Sequence, residues 1–444
     1  MWTLALLACH RLPTTSEPCP CADGHAARTC DGDVCGPCAC LPAEPVPDDP
    51  AFATERYVDP DGPDGDGTEA HPWATLHWPD LDRALAAGDV RVRFARGTRA
   101  PDPIRILRTD PGPHRLVLDG DAWGQGPRAS APGVTTTEAH TKRSYVTVRG
   151  FDLSDTVDQG VFWEAGDGVV LEDLVVHDNG RSPGILFEYA ARSGLPSADL
   201  TIRNNHLYDI RGECIYVGGA DGTDGPGHDG VLLARNLVHH CGQYGHGGDD
   251  WDGINVKDHV TGVVLRENVV YAAHWGLQLD SAARIEGGLV YDVRDHGVMM
   301  GGTWGDGYSG TVVEDLAVLR ADGSGVYVGA DEVPSRDVTV RRLTVDASDA
   351  AVTLAGHARL SATLDDLQLT ALGAALDGWG EPTVDVSECH RQATPALGPF
   401  DVACPPDAVS LDTSAPAGPD GRYFTADDPW LAADHGAALR SSGE

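Results

Sequence analysis

From about residue 145 onward, apolar residues fall at every second position in short runs, and the runs come in threes. The segments "GVVLEDLVVHDNGRSPGILFEYA", "LTIRNNHLYDIRGECIYVGG" and "VVLRENVVYAAHWGLQLDS" follow one plan. An alternating apolar run leads to an Asn, Gly or Asp turn and a second run, and a small residue then opens a third. The unit repeats every ~21–32 residues to about residue 380. Alternation at the strand period, turn residues at each corner and a fixed super-period predict an all-β solenoid. Each coil of such a chain buries its Val, Ile and Leu only against its neighbours. One short helix is expected before the repeats, over Pro79 to Ala87.

Over roughly residues 85 to 380 the repeat resembles the right-handed parallel β-helix, the fold of pectate lyases and their relatives. The entry segment "RYVDPDGPDGDGTEAHPWATLHWPDLDRAL" is similar to the loop and capping helix that open such proteins. The chain then divides into a Cys-rich segment and Pro- and acid-rich linker over 10–55, a cap over 56–90, the β-helix over 91–380 and an irregular end over 381–444. Asp59, Asp61, Asp64 and Asp66 in the entry loop, and Asp420, Asp427 and Asp428 near the end, read either as solvated turns or as oxygen ligands for Ca²⁺.

Writing the third run of each unit in register gives "QGVFWE", "PGILFE", "ECIYVG", "DGINVK", "WGLQLD", "HGVMMG" and "SGVYVG". Alternation turns Ile254 and Val256 inward and Asn255 and Lys257 outward. One outward column is then Glu164, Glu188, Gly218, Lys257, Asp280, Gly301 and Gly329. Its neighbour carries Phe162, Leu186, Tyr216, Asn255, Gln278, Met299 and Tyr327. Outward aromatics between glycines predict a groove for sugar rings, with Tyr216, Asn255, Gln278 and Tyr327 as substrate-binding residues.

Lys257 stands out because the chain has only one other lysine, Lys142, and otherwise writes its fixed positive charges as arginine. Lysine can lose its proton and arginine effectively cannot, which makes Lys257 the candidate general base. Asp249, Asp250 and Asp252 just before it, with Glu213 one coil earlier, are candidate Ca²⁺ ligands. The run from Asp250 to Lys257, "D-x-D-x-I-x-V-K", resembles the "E-x-E-x-I-x-x-K" segment of the chondroitinase B and alginate lyase family. The resemblance implies that Asp250 and Asp252 hold Ca²⁺ and that Lys257 takes the proton in β-elimination on a uronic-acid polysaccharide. Where that family has an arginine one coil on, this chain has Asp280, a residue able to pair with Lys257 instead. Asp280 and His274 complete the catalytic candidates; Tyr216, His296 and Arg284 are further proton donors to consider, and Arg266 reads as a turn residue. A glycosidase pairing among Glu188, Asp252 and Asp280 and a non-catalytic glycan-binding or structural surface β-helix are the alternatives. His239, His240, His246, His259, His274 and His296 cluster near the same coil and read as corner or surface residues rather than a zinc site.

A net charge of −36 excludes a nucleic-acid partner and fits a soluble, cation-tolerant surface; a monomer is expected. The opening "MWTLALLAC" resembles a bacterial lipobox ending at Cys9, though with a short apolar run and no basic residues before it. The implied setting is an exported outer-membrane or cell-surface lipoprotein that touches the membrane only through that anchor, or an extracellular protein. Cys19, Cys21, Cys30, Cys35, Cys38 and Cys40 then form an even set read as disulfides, with a metal knuckle at Cys35 and Cys38 as the alternative. Cys389 with Cys404 is the preferred later pair and Cys214 with Cys241 the other.

Overall fold

The computed structural model describes residues 51–392 apart from 108–111, 137–141, 181–182, 190–194, 220–226, 243–251, 302–307, 331–334, 357–359, 372–373, 381–382 and 388, together with four short strands before residue 41. It is a right-handed parallel β-helix. The first row of each coil and the second row join into one 20-stranded sheet, and the third rows stack into an 11-stranded sheet. One coil is Val170–Glu172, Val175–Asn179 and Ile185–Tyr189; the next is Ser197–Arg203, His206–Ile210 and Ile215–Gly219. From Val263–Tyr271 onward the first and second rows run on as single bent strands.

The bend between first and second rows lies at residues with positive φ: Asp173, Asn204, Arg235 and Glu267, at φ values of 50 to 55°. Just beyond, Asn205, Asn236 and Asn268 form a buried ladder. Asn205 Nδ2 donates to Asn236 Oδ1 at 3.0 Å and Asn236 Nδ2 to Asn268 Oδ1 at 2.9 Å. The ladder satisfies backbone groups that the turn removes from the sheet. Inside the coil, Val176, Leu207, Val238, Val270 and Val290 stack rung on rung in one core that runs from Val58 to Ala371. Outside the first rows, acids and arginines alternate: Arg91 and Arg149 on Asp119, Arg203 on Glu172. Arg266 and Arg284 likewise pair with Glu286, a structural role far from proton donation.

The capping helix is Trp78–Leu85, with Leu81 and Leu85 buried over the first coil. It starts and stops one to two residues before the span expected from sequence, because Pro79 sits inside the first turn, where its missing N–H is not needed. In the entry loop, Asp66 accepts bonds from the Thr68 amide and hydroxyl, Asp59 from the Asp61 amide, and Asp64 from the Ala74 amide. The short strands before residue 41 form an antiparallel sheet in which Cys30 stands opposite Cys35. Cys9 and Cys404 lie outside the described residues. Cys214 and Cys241 form a disulfide, one of the two later pairs expected from the sequence. It ties the end of a second-row strand to the start of the third-row strand of the coil before. No described helix is long and apolar enough to cross a membrane.

Candidate functional site

The third-row strands Ile215–Gly219, Ile254–Val256, Leu277–Leu279 and Val298–Met300 pair in strict register, with Tyr216, Asn255, Gln278 and Met299 in one outward column. The same register sets Lys257 beside Asp280. The Lys257 Nζ is 3.4 Å from Asp280 Oδ2, and the two side chains are 11% and 6% exposed. Gly218, at φ 138°, stands against Lys257, and a Cβ built there would meet Lys257 Cβ at 2.7 Å. Glycine is therefore required for the lysine backbone to lie this close.

A chain of hydrogen bonds crosses the face from this pair to the opposite strand ends. Gln278 Nε2 donates to Asp280 at 3.3 Å, Asn255 Nδ2 donates to Gln278 Oε1 at 2.9 Å, and the same Nδ2 donates to Asp252 Oδ2 at 2.8 Å. The donors point toward a carboxylate at each end. Asp252 and Asn255 are fully buried and Gln278 nearly so. Asn255 and Gln278, expected to face the sugar, are both members of this chain. Asn255 Oδ1 has no hydrogen-bond partner.

The other sequence candidates separate. The Cys214 amide donates to the Asp252 carbonyl at 3.1 Å, which places half-buried Glu213 on the coil beside Asp252. Asp249 and Asp250 lie outside the described residues. His274 sits at the corner before Leu277, tilted on Trp275 at 5.3 Å, with its Nδ1 buried and unpartnered. That corner is at the Asp252 end of the strands, away from Lys257. Tyr216 donates its hydroxyl to the Gly219 carbonyl at 2.8 Å, and Tyr327 stacks on His296 at 4.9 Å. Glycines 301 and 329 do not open a gap: a Cβ at either would meet the Tyr327 ring within 3.3 Å. Burial lowers the His296 pKa, Asp295 opposes that shift, and His274 adds to it.

Higher up the same column, Glu164 is buried one coil from Glu188. Burial, and then the charge of Glu164, push the Glu188 carboxyl above its ordinary range. The histidines near Cys241 are not surface residues. His206 Nε2 meets His239 Nε2 at 2.9 Å, His239 Nδ1 meets His240 Nδ1 at 2.6 Å, and all three rings are buried. His239 uses its two nitrogens on two different neighbours, so the three rings do not converge on one metal position. Among the described residues, no three His, Cys, Asp or Glu side chains converge as a metal site. Sequence reasoning missed this burial because it read His239 and His240 at a turn, and a turn signal does not say what packs over it. A cavity of about 420 Å³ opens elsewhere, beside the capping helix, between Leu76, Trp78, Phe94 and Ile104.

No family profile and no curated protein matches the sequence. Solved structures do match in fold. The Streptococcus pneumoniae surface protein and adhesin PfbA is 13% identical, with 72% of this chain and 93% of that one covered and a TM-score of 0.51. A GH87 alpha-1,3-glucanase from Streptomyces thermodiastaticus is 14% identical over 78% and 70% of the two chains, with a TM-score of 0.48. A rhamnogalacturonan lyase is 13% identical over 84% and 96%, with a TM-score of 0.42. At these identities the likeness is one of fold.

Proposed function

We propose that this protein is an exported, carbohydrate-active β-helix that holds a polysaccharide along the outer face of its third-row sheet, and that it cleaves a uronic-acid chain there by calcium-assisted β-elimination. The observation that carries the reading is the buried polar chain from Asp252 through Asn255, Gln278 and Asp280 to Lys257. A β-helix needs only solvated polar residues on its outside. Four buried polar groups and a nearly buried lysine spanning two coils are costly unless they serve a purpose. The Cys214–Cys241 disulfide supports export. A lipid anchor at Cys9 belongs to the same reading.

In this reading Lys257, as the neutral amine, takes the proton from the carbon beside the sugar carboxylate, and the C–O bond to the leaving sugar breaks as the double bond forms. Water protonates the leaving oxygen, and Asp280, held by Gln278, positions the ammonium that results. Asp252, Glu213, Asp249 and Asp250 would hold the calcium ion. An all-oxygen set fits that hard cation, and the unpartnered Asn255 Oδ1 beside Asp252 offers one more oxygen. Bound calcium would neutralise the sugar carboxylate and acidify the neighbouring proton.

A second reading is glycan binding without cleavage. The Lys257–Asp280 pair favours it, because a carboxylate at 3.4 Å stabilises the ammonium and opposes its use as a base. The test is incubation with alginate, pectate and glycosaminoglycans, with calcium or with chelator, following the ultraviolet absorbance of the unsaturated product. Product from the wild type that Lys257→Ala cannot form supports the lyase. Retention of a polysaccharide in affinity electrophoresis with no product supports binding alone. Neither product nor retention on any of them sinks both.

A further inference from the structure

His296 lies two residues before the third-row strand Val298–Met300, two coils on from Ile254–Val256 and the Lys257 that follows it. Its ring stacks on Tyr327 at 4.9 Å, 20° from parallel, and both residues are half-buried. Tyr327 leans across the glycine column, since a Cβ at Gly329 or Gly301 would meet its Cε1 at 2.8 or 3.3 Å. One hydrogen bond fixes the state of the imidazole. The Ser324 amide donates to His296 Nδ1 at 3.1 Å. A backbone N–H can only donate, so Nδ1 carries a lone pair and the proton of the ring sits on Nε2. A second proton would have to enter at Nδ1, against that amide. His296 is thus a neutral donor through Nε2, which has no hydrogen-bond partner among the described residues.

The charge around this donor is negative. Asp295 Oδ1 stands 3.4 Å from His296 Nδ1, and its Oδ2 accepts from the Trp275 indole at 3.1 Å, which holds the carboxylate beside the ring. Asp349 adds its charge. A neutral donor among carboxylates suits an uncharged oxygen, and a second carboxylate or a sulfate brought there meets repulsion. We propose that His296 and Tyr327 form a subsite for an uncharged sugar, whose ring packs on the stacked pair while a hydroxyl accepts from Nε2–H. This subsite rests on the proposed function, which lays a polysaccharide along the outer face of the third row, and it adds the class of polymer. Two coils separate it from the Lys257 rung, about 10 Å along the axis, farther than one sugar ring reaches. It therefore takes a different residue of the polymer from the uronic acid at Lys257. The favoured polymer has uronic acid and uncharged sugars interspersed, and one built of uronic acid alone is disfavoured by Asp295.

The test is affinity electrophoresis of the full chain in gels holding unsulfated chondroitin, where uronic acid and an uncharged sugar alternate, or pectate, which is uronic acid throughout. Retention reads binding whether or not cleavage follows. Chondroitin is expected to retain the protein more strongly. Tyr327→Leu and His296→Leu should each weaken that retention about five- to tenfold, and His296→Gln, which keeps an N–H donor, should lose less. Asp295→Asn, which removes the charge and can still accept from Trp275, should narrow the preference over pectate several-fold. Nitrogen NMR of the wild type should show His296 as the Nε2–H tautomer from about pH 6 to 8, a measurement that needs no variant. Undiminished retention in folded His296→Leu and Tyr327→Leu overturns the subsite. So does a His296 ring protonated at Nδ1 at neutral pH, or retention by pectate equal to that by chondroitin. Each of these leaves the polysaccharide face itself standing. A wild type retained by no polysaccharide, those of the activity test included, overturns both.

Discussion

Lys257 and Asp280 lie 3.4 Å apart on successive coils, both nearly buried, at one end of a hydrogen-bond chain that ends on Asp252. Burying a charge is expensive, and a close partner offsets much of that cost. The pair is therefore sensitive to the loss of either member, whatever chemistry it performs.

Asp280→Leu is expected to leave the Lys257 ammonium without its carboxylate in a site only 11% exposed. The loss of folding stability should be about 3 kcal/mol, and the double variant Lys257→Met with Asp280→Leu should lose less than either single change. Urea unfolding of the four proteins measures this. Additive losses would mean that the two groups do not interact.

Asn236 is fully buried and bonded above and below. Asn236→Ala would strand the Asn205 amide donors and the Ile202 carbonyl together. A loss of about 3 kcal/mol or more is expected, visible as a lower thermal midpoint. A change within the range of an ordinary surface substitution would show that the ladder is dispensable.

The Cys214–Cys241 bond closes a loop over a sequence separation of 27. Replacing both with serine should cost about 3–4 kcal/mol by chain entropy. Reductant should lower the midpoint of the wild type toward that of the variant, and leave the variant unmoved.

Acid should unfold the protein through its buried histidines. Burial pushes the His228 pKa down to about 4, and burial with the neighbouring His206 and His240 holds His239 well below its ordinary value. The unfolded chain then binds protons that the folded one refuses. Stability is full above about pH 6.5 and falls as pH drops toward 4, by at most roughly 3 kcal/mol from His228 alone. Glu188, raised by burial and by Glu164, acts oppositely, losing stability as pH rises past its ordinary range. Urea midpoints from pH 7 to 4 should fall less steeply for His228→Leu than for the wild type. Parallel slopes would clear His228 of the effect.

The coil was legible in the chain because two periods suffice for it. Alternation decides which side chains enter the core, and the repeat of turn residues decides which coils stack. Together they put Asp280 next to Lys257 and exposed the departure from the lyase family's arginine. What those periods cannot give is what lies outside the coil. They placed Asn255 and Gln278 on the outer face but could not show that both are hydrogen-bonded to carboxylates. They read His239 and His240 as corner or surface residues, and the structure buries both rings, nitrogen to nitrogen. They read Gly301 and Gly329 as open space, and Tyr327 occupies it. They offered Cys214 with Cys241 as one of two later pairs, and the structure joins them where two strand ends meet. By itself the sequence determined the coil and its register, which follow from local alternation. Only the tertiary structure decided burial and hydrogen-bond direction, because both depend on segments brought together from distant parts of the chain.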